Sequence, residues 1–290
     1  MKDSKWQGQS RGGRQGNLFF VMLLRYAGIN AAYLFLCLII PYFLLFAPKA
    51  TQAIWDFYRN RMRYGLLKSI FALPAHYYKF GQVLIDKTAI GMGLQDRYRF
   101  KFNNYHLFEE ADKSQKGLMI IGAHVGNWEC GAQFFNGLDR RVNIIMLDAE
   151  HRKIKEVIEK NSQEASYNII PLGGDMISSI IEIKCALGRN EMICTQGDRY
   201  MASKEDGSSH SHELEFFGTK AHFPQGPFMI ARKFKVPVLF FFALRSGHKE
   251  YTFNFYKPQE DIPLYDSYVP ILEETVRKNP SQWFNFYKFW

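Results

Sequence analysis

The chain has 290 residues, 47% apolar and 16% aromatic, with 37 Lys and Arg against 28 Asp and Glu for a formal charge of +9. Such a chain can bury enough apolar surface to offset its ordering entropy, which excludes disorder. A charged fraction of 22% and a mean hydropathy of −0.25 exclude a polytopic membrane protein. Four dispersed cysteines (Cys37, Cys130, Cys185, Cys194) make no C-x-x-C pair and exclude a small disulfide scaffold. Their apolar settings predict buried, reduced thiols. What remains is one large α/β domain, or two tightly joined ones, whose basic and aromatic excess needs an anionic or apolar partner.

In chain order, residues 1–17 are polar and read as a flexible arm. Residues 17–26 are apolar with one Arg. Residues 29–48 form the most apolar stretch, close to the roughly 20 residues a bilayer span needs, with Pro41 positioned to kink a helix. Five bases precede it (Lys2, Lys5, Arg11, Arg14, Arg25) and five follow (Lys49, Arg59, Arg61, Arg63, Lys68). The positive-inside rule therefore gives no orientation. Either a membrane-associated helix or helical hairpin, spanning or re-entrant, or a buried core helix fits this stretch. Residues 51–72 repeat Ile54, Phe57, Tyr58, Met62, Leu66 and Ile70 at helical steps. A basic amphipathic helix of this kind suits a membrane interface or an ordinary core face. The organisation expected is an arm (1–17), a membrane-associated helical segment (18–72) and a catalytic domain (73–290).

From residue 117 short apolar runs alternate with helical patterns. Strands are expected at 118–123, 143–147, 168–172, 191–195, 236–243 and 251–256. Helices are expected at 127–138, 150–164, 175–187, 227–233 and 267–278, with a polar loop at 200–213. This alternation predicts a mixed, largely parallel sheet flanked by helices on both faces.

The segment that carries chemistry is 118–131. An apolar strand ends at Ala123 and His124 follows, where ligands bind in open α/β sheets. Asn127 can cap the next helix, with Glu129 in its first turn. On a continuous helix His124 and Glu129 would point about 140° apart. They meet only if His124 sits on the preceding loop and the carboxylate reaches back. A carboxylate beside a His fixes its tautomer and stabilises the imidazolium, leaving the other nitrogen as a general base. A strand-end His held for structural reasons is the other reading of a bare H-x4-E.

The run His124, Val125, Gly126, Asn127, Trp128, Glu129 resembles the H-F-G-N-W-E motif of the lipid A late acyltransferases, within the lysophospholipid acyltransferase superfamily. Residues 216–227 resemble that family's F-F-G-x-x-A-x-x-x-x-G-P block. The run Gln196, Gly197, Asp198, Arg199 resembles its strand-end Asp block through Asp198, and residues 279–284 resemble its P-x-Q-W segment. The resemblance implies a glycerolphosphate acyltransferase-like fold. It implies an acyltransferase that moves a fatty chain from acyl carrier protein or CoA to a membrane lipid, lipid A-like or another lipid or pigment. His124 is then the base and Glu129 its orienting partner. Asn127, Asp198, Arg199, Arg152 and Gly226 lie on the substrate side, with amides near Gly126 or Gly226 as oxyanion donors. No cofactor or metal and no nucleic acid is implied. The location implied is the inner membrane, with the catalytic domain on its cytoplasmic side and an anionic lipid surface as partner. One block departs: the family's Tyr-Arg-Pro after the second strand is absent here, and Arg152 is the nearest substitute. Phe134, Phe135, Phe216, Phe217 and Phe240 to Phe242 are candidate liners of an acyl chain, or plain core.

Three rival readings fit parts of the sequence. His210, His212 and His222 suggest a metal hydrolase but lack a fixed third ligand. G-x-S-x-G is absent, which disfavours a nucleophilic hydrolase. A non-catalytic membrane- or RNA-binding protein would not need both His124 and Glu129 and lacks an RNA-binding aromatic pattern.

Overall fold

The structure, a computed structural model, describes residues 14–114, 116–136, 140–147, 167–172, 176–199 and 211–290. Its strands are β1 (Arg99–Asn103), β2 (Leu118–Gly122), β3 (Val142–Leu147), β4 (Tyr167–Leu172), β5 (Met192–Gln196), β6 (Ser211–Phe216), β7 (Thr219–Pro224), β8 (Val238–Gly247) and β9 (Glu250–Tyr256). Its helices are α1 (Arg14–Tyr26), α2 (Gly28–Phe46), α3 (Pro48–Asp56), α4 (Leu66–Gly91), α5 (Tyr105–Lys113), α6 (Trp128–Asn136), α7 (Met176–Gly188), α8 (Gly226–Phe234) and α9 (Leu264–Lys278). Seven strands form one sheet in the order β1-β9-β8-β2-β5-β3-β4. All neighbours pair parallel except β8 with β9. This is the mixed, largely parallel sheet flanked by helices that the strand–helix rhythm predicted.

Period-two alternation sorts the central strands between two cores. Leu118 and Ile120 of β2, with Leu239 and Phe241 of β8, face one core that also holds Tyr33, Leu36, Ile85, Cys130 and Phe135. Met119, Ile121, Phe240 and Phe242 face the other, under Phe228, Tyr268, Leu272 and Trp283. Being covered on both faces, β2 is apolar throughout and wholly buried.

The apolar stretch forms α2, with Pro41 inside it. Among the described residues it is the one helix long and apolar enough to cross a membrane, with a hydropathy of 2.2 and 28% of it buried. One face (Ile29, Ala32, Tyr33, Leu36) is buried in the core. It runs antiparallel to α4: Tyr33 bonds Asp86, Leu36 packs on Gly81, and Phe43 stacks on Tyr77. The junction is charged as well as apolar. Arg245 of β8 donates from Nε to Asp86 (3.1 Å) and from Nη2 to the Tyr33 hydroxyl (3.1 Å), and Tyr98 and Tyr251 also donate to Asp86.

Several expectations need correction. Residues 51–72 are not one amphipathic helix. α3 passes into a π-turn at Phe57–Arg61, and the chain breaks before α4, with Arg63 at φ 54°. Ile54, Phe57 and Tyr58 are buried, whereas Leu66 and Ile70 are exposed. The 14–17 end of the expected arm is the first turn of α1. Cys37 and Cys185 are exposed on helix surfaces, while Cys130 and Cys194 are buried. The block at 216–227 proves to be half of a hairpin: β6 and β7 pair antiparallel around Phe217 and Gly218, both at positive φ (56° and 69°). That is the geometry a two-residue hairpin needs to match strand twist. The helix expected at 150–164 and most of the loop at 200–213 lie outside the described residues.

Candidate active site

His124 sits on the loop between β2 and α6, just beyond the carboxyl end of a central strand. The parallel register pairs Gly122 of β2 with Gln196 of β5. Two residues further on, His124 and Asp198 therefore leave the sheet side by side. Asp198 accepts from His124 Nδ1 through Oδ1 (2.7 Å) and from the His124 backbone N–H through Oδ2 (3.0 Å). Its carboxylate is 1% exposed, whereas the His124 ring is 19% exposed. Burial by itself would raise the Asp198 carboxyl. The His124 charge and hydrogen bonds and the neighbouring Arg199 outweigh it, holding the group below the ordinary carboxylate range. With Nδ1–H directed to Asp198, the lone pair lies on Nε2. No described residue bonds that nitrogen.

The loop is built to hold this pose. Gly126 adopts φ 67°, and a Cβ there would lie 2.0 Å from the Ala243 carbonyl oxygen. Only glycine lets the chain pass so close to β8. Asn127 is 1% exposed and donates its N–H to Ala243 (2.8 Å). Its Oδ1 accepts from Cys130 N–H (3.2 Å) and so caps α6. The C-terminal segment closes the loop from above: Gly126 N–H donates to Gln282 O and Phe284 N–H to His124 O, each at 2.9 Å.

A family model described as bacterial lipid A biosynthesis acyltransferase matches residues 77–290. The chain belongs to that family. It is an acyltransferase of the lipid A biosynthesis class. No curated protein matches the chain.

Within this acyltransferase the expected His124–Glu129 contact is replaced. Glu129 lies in the first turn of α6, turned toward α4, where its carboxylate pairs with Lys87. The cause is the loop: His124 leaves along the strand direction beside β5, while α6 starts four residues later and carries Glu129 to the α4 side. Both Glu129 and Lys87 remain part-exposed (22% and 39%). Arg199 donates from Nη2 to Phe284 O (2.7 Å), which ties it to the C-terminal segment. Gly226 is the first residue of α8. Arg152 lies outside the described residues.

Of the candidate acyl liners, Phe135 and Phe241 line a small cavity under α6 together with Ile120, Trp128, Cys194 and Gln196. Phe240 and Phe242 face the opposite core, where Phe216 and Phe217 are also packed. His212 packs tilted against Tyr265 (4.4 Å between centroids) and His222 shares a hydrogen bond with Ser211 (3.1 Å). The β6–β7 register places them on opposite faces of the hairpin. His210 lies outside the described residues. No group of three or more metal-ligating side chains occurs among the described residues. Sequence reasoning missed Asp198 as the partner of His124, the Lys87–Glu129 pair and the Asp86–Arg245 network.

Proposed function

We propose that this acyltransferase moves a fatty acyl chain from the thioester of acyl carrier protein or CoA to a hydroxyl or amine of a membrane lipid, with His124 as general base. The observation that carries the reading is the His124–Asp198 pair, with Nδ1 held by a buried carboxylate and Nε2 open. His124 Nε2 takes the proton of the acceptor hydroxyl. The freed oxygen attacks the thioester carbonyl, and the tetrahedral intermediate collapses with loss of the thiolate. The imidazolium returns the proton to that sulfur. An ester forms, a thioester breaks, and no group is left on the enzyme. Asp198 stabilises the imidazolium between the two proton transfers. Such a base contributes about 10²–10⁴-fold in rate. The Gly126, Asn127 and Cys130 N–H groups are committed to Gln282 O, Ala243 O and Asn127 Oδ1, so the oxyanion role expected near Gly126 passes to the Trp128 and Glu129 amides at the start of α6.

Glu129, in the first turn of α6 just after the loop, is assigned to the acceptor side of the site with Lys87, and Asn127 to holding the loop. Arg199, Arg152 and Gly226 stay as substrate-side candidates. The acceptor fits the lipid A-like class of the family, with another membrane lipid or a pigment as the alternative. The membrane contact is assigned to the end of the α2–α4 hairpin. There Leu45, Phe46, Leu66, Leu67 and Phe71 are exposed, beside Lys49, Arg63 and Lys68. An apolar tip ringed by bases suits an anionic bilayer of the inner membrane, entered from the cytoplasmic side. Mass analysis of lipids from cells lacking the protein tests the reading. Loss of one acyl chain from one lipid is expected; an unchanged lipid profile overturns it.

A further inference from the structure

The last residues of the chain do more than cover the core. Four polar contacts tie residues 282–284 to the His124 loop or to Asp198 and Arg199 beside it. Gln282 O accepts from Gly126 N–H and Phe284 N–H donates to His124 O, so the two bonds bracket Val125 opposite Trp283. The Gln282 side chain pairs with the backbone of Arg245, accepting from its N–H (2.8 Å) and donating to its carbonyl (3.0 Å). Phe284 O accepts from Arg199. The Trp283 indole N–H faces Asp198 Oδ2 at 3.4 Å, the same oxygen that accepts from the His124 backbone.

We propose that residues 282–284 form a strap that positions the His124–Asp198 pair, with Trp283 a positioning residue that acts through Asp198. Two donors on Oδ2, the His124 amide and the Trp283 indole, fix the rotation of the carboxylate. Oδ1 is then left aimed at His124 Nδ1. The indole itself is held on several sides: it is 1% exposed and packs against Phe57, Phe216, Phe289 and Trp290. Trp290 is fastened in turn, donating to Phe216 O (3.2 Å) and lying under Arg61 at 4.4 Å. The strap is thus locked at both ends and grips the loop between them. Small errors in such a pose are costly, since about 1 Å of misplacement can lose 10²-fold in rate.

This inference rests on His124 being the base. The test is Trp283→Phe in the full chain, reconstituted in vesicles, with His124→Ala alongside. The Phe ring keeps most of the packing and removes the N–H donor. The strap role predicts kcat lowered by about tenfold or more, KM for acyl thioester and for lipid within about twofold, and a melting temperature close to wild type. An unchanged kcat, or a loss that only tracks the folded fraction, overturns it. If His124→Ala keeps its activity, the base assignment itself fails, which is a separate result. Hydrogen exchange on the wild-type protein decides the matter should Trp283→Phe not fold. Amides of His124, Gly126 and Phe284 should share the protection of β2, and fast exchange there contradicts a strap.

Discussion

Asp198 grips His124 twice, at the ring through Nδ1 (2.7 Å) and at the backbone N–H (3.0 Å). One buried carboxylate thereby sets both the tautomer of the imidazole and the path of the loop that carries it. Asp198→Asn removes the charge that steadies the imidazolium. It should lower kcat by about 10²–10⁴-fold. Glu129→Gln should act chiefly on KM for the acceptor, with a smaller loss in kcat. Steady-state kinetics separate the two. Equal losses of kcat in both variants would return Glu129 to the role of partner to His124.

The Asp86–Arg245 pair tests how the apolar helix is joined to the sheet. Asp86 is wholly buried and the Arg245 side chain is 3% exposed. Asp86→Ala strands the guanidinium and leaves three tyrosine hydroxyls without their acceptor. Breaking a buried pair from one side costs about 3–5 kcal/mol. An unfolding free energy in urea lowered by that amount is expected; an unchanged value would mean that α2 is not docked through Tyr33.

His76 supplies a pH dependence of stability. Burial pushes its imidazole down to about 3 in the folded chain, against roughly 6.5 unfolded. Between those values the unfolded state holds the extra proton. Stability is therefore complete above about pH 6.5 and falls as the pH drops toward 3, with a slope of up to about 1.4 kcal/mol per pH unit. His76→Phe keeps a ring among Tyr58, Phe284 and Phe286 and should flatten the curve in that window. A curve of unchanged slope would show that His76 titrates freely.

The hairpin tip gives a prediction about membranes. Leu45, Leu67 and Phe71 are 70–74% exposed, so Ser at all three positions should leave the fold intact. Each buried side chain of this size contributes about 1.5–3 kcal/mol to apolar transfer. Binding to anionic vesicles should drop by at least about tenfold in a flotation assay, and retained binding would place the membrane contact elsewhere.

The sheet was legible in the sequence because strands buried on both faces read as unbroken apolar runs, as at 118–122. β1 was not. It is an edge strand in which Phe100 and Phe102 alternate with Arg99, Lys101 and Asn103, and its burial is slight. α4 was hidden by Pro74 and Gly81 inside a helix of 26 residues. His124 stood out because a strand ends just before it. Its partner did not, because the contact depends on the register between β2 and β5, 74 residues apart in sequence. Within the motif, spacing drew attention to Glu129, yet the start of α6 carries that side chain away to Lys87. Trp283 could be noticed as part of a block, but its place against Asp198 depends on how the last turn of chain folds back.

His124 is the residue on which the proposed transfer depends most directly. Acyl transfer from a labelled acyl thioester to lipid in vesicles, measured with purified His124→Ala beside the wild type, is the decisive experiment. A fall of at least about 10²-fold in kcat, with the variant folded and bound to the vesicles, is the result predicted. Near wild-type transfer by His124→Ala would contradict it.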